Sequence, residues 1–117
     1  MPALPARLHP GDLVLVHVVN PNEKFWGVLV ELEVAGVTLH GISVSSFDEW
    51  VSQAARRETA ALGLSTMFVP LFRVERVFRD ETIGQVESYA IRFERRVGVA
   101  VKDFLGLGVG EGEEVPS

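Results

Sequence analysis

From Lys24 to Val44 the chain reads KFWGVLVELEVAGVTLHGISV. Val28, Val30, Leu32 and Val34 recur at every second position, the spacing of a strand with one buried face. Ala35 and Gly36 interrupt the pattern. Val37, Leu39, His40 and Ile42 then resume it, which predicts a hairpin turning near Gly36. Upstream, Leu13 to Val19 is almost wholly apolar and predicts a strand buried on both sides. Asn20, Pro21, Asn22 and Glu23 supply the turn into the hairpin, because proline presets one dihedral and asparagine tolerates unusual ones. Pro2, Pro5 and Pro10 make the first ten residues an irregular lead-in.

After Ser45 the period changes from two to about 3.6. Phe47, Trp50, Val51, Ala54, Ala55, Ala61 and Leu62 share one face of a helix predicted over 47–62. Ser46 is its expected cap, with Glu49 reaching back and Gly63 as the stop. Strand character returns at Met67 to Val69, breaks at Pro70, and resumes from Phe72 to Phe78. A proline cannot donate to a ladder, so it predicts two short strands meeting at a corner. Asp80 to Gly84 reads as a loop. Val86, Ala90, Phe93, Val97, Ala100 and Phe104, spaced by four and three, predict a second helix over about 85–105. Gly98 weakens it by about 1 kcal/mol relative to alanine. Residues 106–117 have too little apolar surface to order themselves and read as a flexible acidic tail.

The 117 residues suit one domain, residues 1–105, with a hydrophobic core of its own. The chain has no cysteine, which removes disulfides, thiolate nucleophiles and cysteine-bound metals from consideration. The lead-in lacks a secretory signal's apolar core, and no run of about 18 apolar residues suggests a membrane span. A cytoplasmic location is therefore expected. The net charge of −5 disfavours broad binding to nucleic acid or anionic membrane, and no DNA partner is expected. Four of the acids (Asp103, Glu111, Glu113, Glu114) fall near the C-terminus, which leaves the body close to neutral.

Candidate chemistry is sparse. His17 and His40 lie on neighbouring strands, but a metal usually needs a third ligand, so ordinary hydrogen bonds are the expected role. Ser43, Ser45, Ser46, His40 and Asp48 lack the G-x-S-x-G elbow of an activated serine. The tail's GLGVGEG has no strand before it or helix after it, unlike a phosphate loop. No catalytic residue, metal or cofactor is expected, and the chain reads as a non-enzyme. Phe25 and Trp26 beside Lys24 suit either base stacking or the core, with the core preferred for the area such rings bury. Arg73, Arg76, Arg79, Arg92, Arg95 and Arg96 concentrate positive charge, but nearby acids make this a solvated face rather than a phosphate track.

Gly27, Leu29 and Leu32 stand at the G-x-L-x-x-hydrophobic spacing of the first motif of Sm-like proteins. Met67-Phe68-Val69, Pro70-Leu71, Val74 and Val77 resemble the second. The predicted helix 47–62 falls where that family has its variable loop. The resemblance, over about residues 12–79, implies a mainly β fold: a five-stranded antiparallel Sm-like or SH3-like barrel with a helical insertion between strands 3 and 4 and a C-terminal helix. It also implies ring assembly through pairing of the fourth strand with the next subunit's fifth, and single-stranded RNA as a further partner. Residues for RNA would be Phe25, Trp26, Glu33, Arg73 and Arg76. Glu33 occupies the family's acid position, no asparagine follows it, and Pro70-Leu71 replaces Arg-Gly, so the departures fall on the RNA site. A homo-oligomeric, non-enzymatic assembly or protein-interaction module is the leading expectation. Val69 and Val74 on the short strands, and Phe93 and Val97 on the helical seam, are its candidate interfaces. Deleting residues 107–117 is expected to leave the melting temperature unchanged; a drop of many degrees in a thermal scan would show that the tail docks.

Overall fold

The computed structural model describes residues 7–57 and 62–107. The elements are β1 (Leu13–Val18), β2 (Glu23–Glu33), β3 (Gly36–Ser43), α1 (Val44–Arg56) and β4 (Ser65–Pro70). A 3₁₀ turn (Leu71–Arg73), β5 (Val74–Arg79), α2 (Tyr89–Val97) and α3 (Val101–Phe104) follow. The strands form one antiparallel sheet in the order β4-β3-β2-β1-β5. Its edges, β4 and β5, are joined by the 3₁₀ turn but share no ladder, so the sheet is open rather than closed.

One contact pattern shows how far the sheet bends. The Leu71 amide donates to Ala35 O at 2.9 Å, beside the β2–β3 turn. The Val19 amide donates to Arg73 O at 2.8 Å, beside the β1–β2 turn. Three residues span at most about 10 Å, whereas β2, run straight, would separate these turns by roughly 30 Å or more. Hence β2 must bend sharply. A bulge between Leu29 and Glu31 leaves Val30 unpaired and supplies part of the bend. Gly27 supplies close approach: any side chain there would strike the backbone of His40 and Gly41.

The bend makes two cores. On the inner face Val14, Val16, Leu29, Val37, Leu39 and Val69 bury one another without any helix. On the outer face Leu15, Trp26 and Ile42 take up Phe47, Trp50 and Val51 of α1, Phe93 of α2 and Val101. The near-continuous apolar run of β1 is thereby explained, since its residues alternate between the two cores. Trp26 is 0% and Trp50 4% exposed. Their ring centroids lie 5.8 Å apart, with Phe47 5.2 Å from Trp26.

Three expectations need correction. The alternating run beyond Val28 does not face the core: Val30, Leu32 and Val34 are all exposed, because the bulge breaks the register and the hairpin outruns the core. Helix α1 starts at Val44, and its cap is Ser43, whose Oγ accepts from the Ser45 amide at 3.3 Å. Ser46 sits inside the helix, and Glu49 accepts from Gln53 instead of reaching back. The helix stops at Arg57, in left-handed conformation at φ 57°, and not at Gly63. Ala61 lies outside the described residues, while Leu62 packs on the outer core. The single helix over 85–105 is two helices: Gly98, at φ 95°, donates its amide to Glu94 O and ends α2. Val86 precedes α2 and is exposed.

Asp80 joins the two layers. Its Oδ2 accepts from Trp26 Nε1 at 3.0 Å and from the Ala90 amide at 2.9 Å, and its Oδ1 from the Tyr89 amide at 2.8 Å. One carboxylate thus satisfies a buried indole and caps the first turn of α2. Asp80→Ala leaves that indole unpaired and is expected to cost about 2–4 kcal/mol in urea unfolding. Asp80→Asn, which keeps one acceptor oxygen, is expected to cost less; equal losses would show that the charge alone matters.

Candidate functional site

Two places on the molecule offer recognition chemistry. The first is the free edge of β4. Between Ser65 and Pro70 it carries no charged residue, and among the described residues it pairs with β3 alone. Phe68 points from it to solvent at 49% exposure. Leu71 and Phe72 follow in the 3₁₀ turn, Phe72 at 84%. The Leu71 amide bond to Ala35 places this apolar turn beside the exposed Val34. The other edge, β5, alternates Glu75, Arg76 and Arg79 with its apolar residues. Charges of this kind protect an edge strand from chance pairing, and β4 lacks them.

The second place is a cleft of about 540 Å³ at the start of α1. It is walled by His17 and Val18 of β1, Asn22 of the turn, Lys24 of β2, and Val44 and Ser45 of α1. Register explains the grouping. His17 stands opposite Lys24 on one side and Arg76 on the other, one row beyond Leu15, Trp26 and Phe78. The helices cover that preceding row and stop short of this one. His17 packs edge-on against Phe78 at 4.9 Å between centroids. The side chains of His17, Asn22 and Lys24 make no hydrogen bond or ion pair among the described residues. Both acids at the rim are paired, Glu23 with Arg73 at 3.6 Å and Glu75 with Arg76 at 3.5 Å. A smaller hollow on the other side of His17 and Lys24 includes Asp80, Glu81 and Glu87. There Asp80 holds Trp26 and α2, and Glu87 chelates Arg95.

The residues proposed from sequence for RNA do not share one surface role. Trp26 is wholly buried, with its indole nitrogen bonded to Asp80. Phe25 is half-buried and packs on the inner core. Arg73 is tied to the β1–β2 turn, donating to Val19 O at 3.0 Å and Pro21 O at 2.9 Å. Glu33 ends β2 opposite Gly36, whereas Phe25 begins it opposite Ser43. Arg76 alone of the set is a well-exposed cation. Of the interface candidates, Val69 is buried on the inner face, and Val74 and Val77 pack against that core. Phe93 is 0% exposed, 5.1 Å from the Trp50 ring, so the helical seam is used inside the subunit and Val97 packs with it. The seam therefore offers no free surface at Phe93. His40 has the ordinary role expected, with Nδ1 3.2 Å from Thr66 Oγ1 across the strands.

Sequence reasoning missed the exposed pair Phe68 and Phe72 and the cleft. Strand alternation around Val69 could have flagged Phe68. Nothing in the sequence signals that Asn22 and Ser45 line one cleft. The chain matches no family model, no curated protein and no solved structure.

Burial, followed by the positive charges of Lys24 and Arg76, holds His17 below its ordinary pKa, outweighing the opposite pull of Glu75. The unfolded chain therefore binds a proton near pH 6.5 that the folded chain resists, so stability falls as pH drops below about 6.5. For Asp12, burial alone would raise the pKa, but the His9 amide and Arg79 outweigh it and lower it. Its contribution is present above about pH 4 and lost below. The urea midpoint is accordingly expected to decline between about pH 7 and 5, and His17→Gln to reduce that decline. Equal declines in both proteins would remove His17 as the cause.

Proposed function

We propose that this chain is a non-enzymatic, homo-oligomeric assembly module whose subunits join through the β4 edge. The observation that carries the reading is the uncharged β4 strand with Phe68 and Phe72 exposed beside it. An unpaired ladder edge without charge is a template for another strand, and apolar side chains around it add burial to the backbone bonds. A second copy is the favoured occupant because every copy also carries a second free edge, β5, of the same length. In the Sm-like form of this reading, the bent sheet is an opened small barrel, and β4 of one subunit meets β5 of the next to build a ring. The single-stranded RNA reading has less support, since Trp26 and Arg73 serve the fold.

The full chain is expected to sediment as an oligomer at tens of micromolar. Two copies would indicate β4 pairing with β4, and a larger closed number pairing of β4 with β5. Phe68→Lys with Phe72→Asp is expected to give folded monomers with a nearly unchanged urea midpoint, because both rings are exposed. Phe93→Glu is expected to unfold the subunit instead. A monomeric wild-type protein at that concentration would end the proposal.

A further inference from the structure

We infer that the cleft between the β1–β2 turn and the start of α1 binds the phosphate group of a small phosphomonoester. The inference stands on different residues from the assembly reading and does not depend on it. Three polar side chains without hydrogen-bond or ion-pair partners among the described residues, His17, Asn22 and Lys24, reach one cavity from a strand, a turn and a second strand. Groups that can donate hydrogen bonds and lack partners are the ones a ligand can engage without first breaking a bond. The Ser43 and Ser45 hydroxyls, hydrogen-bonded to each other at 2.9 Å, leave one proton to donate at the rim.

Charge decides the sign of the ligand. Lys24 and Arg76 flank His17 from β2 and β5, and Glu23 and Glu75 are each occupied by an arginine. Asp80 and Glu87 are likewise engaged, which leaves Glu81 as the remaining acid beyond His17. The lowered pKa of His17 is consistent with a positive local field acting together with burial.

Two features favour a phosphomonoester over a carboxylate. The donors surround the space from several elements, which suits a tetrahedral group with three terminal oxygens. A phosphomonoester also loses its second proton near pH 6, so above that pH it carries about twice a carboxylate's charge beside Lys24 and His17. The volume exceeds what a phosphate fills, and Val44 gives the remainder an apolar wall for a small organic body.

The test is a titration of the full, ¹⁵N-labelled chain with inorganic phosphate, glycerol phosphate and acetate at constant ionic strength. Saturable shifts are expected at His17, Asn22, Lys24 and Ser45, with glycerol phosphate binding more tightly than inorganic phosphate and acetate weaker by about tenfold or more. Lys24→Gln is expected to raise the Kd about tenfold. Asn22→Ala should weaken binding too, and a retained spectrum elsewhere would show that both variants fold. The His17 ring should titrate at higher pH when glycerol phosphate is bound, since linkage is reciprocal. Shifts that never saturate, shifts scattered over distant arginines such as Arg57 and Arg96, equal binding of acetate, or binding unchanged by Lys24→Gln would each overturn the inference.

Discussion

The architecture depends on the bend of β2. A three-residue turn hydrogen-bonded at both ends, to Ala35 and to Val19, draws together two turns that an extended strand would hold far apart. Everything else accommodates that curvature. The inner face closes on itself, so Val14, Val16 and Leu39 are fully buried in a cluster to which none of the described helices contributes. The outer face becomes the surface that helices cover. Arg73 reinforces the arrangement from the same turn by bonding Val19 and Pro21. An arginine that satisfies two backbone carbonyls at a strand junction contributes more than an exposed ion pair, which is worth about 0–1 kcal/mol.

On the outer face a second dependence follows. Trp26 is buried beneath α1, and its indole nitrogen must find an acceptor where the ladders have already used the backbone. Asp80, one residue past β5, provides it, and the same carboxylate holds the first amides of α2. The placement of α2 then brings Phe93 against Trp50 and Arg92 over the rings of Tyr89 and Phe47, at 4.8 and 5.4 Å. Arg92 also pairs with Asp48 at 2.7 Å, a bond between the two helices. Much of the helical layer is therefore oriented by one side chain that looks, in sequence, like the opening of a loop.

Local rules read the strands well because the information is local. Period-2 spacing, the turn at Asn20 to Asn22 and the break at Pro70 all involve neighbours within a few residues. The element boundaries that were misread involve competition. Ser43, Ser45 and Ser46 can each cap a helix, and the winner is set by where β3 stops pairing with β2 and β4, which is a long-range matter. The alternation through Val34 was misread for a related reason: a bulge at Val30 changes the register, and no feature of VLVELEV announces it. Asp80, Arg73 and the His17 cleft were illegible because each joins groups about fifty residues apart, or from three separate elements.

The misreading of Val30, Leu32 and Val34 bears on function. Sequences usually agree with their fold at every level, and local disagreements tend to gather where something other than stability is being served. Here the disagreement is concentrated: an apolar hairpin end that outruns the core, an exposed Phe72 beside it, and an edge strand without a charge. Isolated exposed valines would need no explanation. Their coincidence with the less protected of two sheet edges is different, because an apolar surface and unpaired backbone groups together recruit a strand more strongly than either alone. β5 differs by three charged residues over the same length. That asymmetry between edges of equal length leaves β4 the less protected of the two.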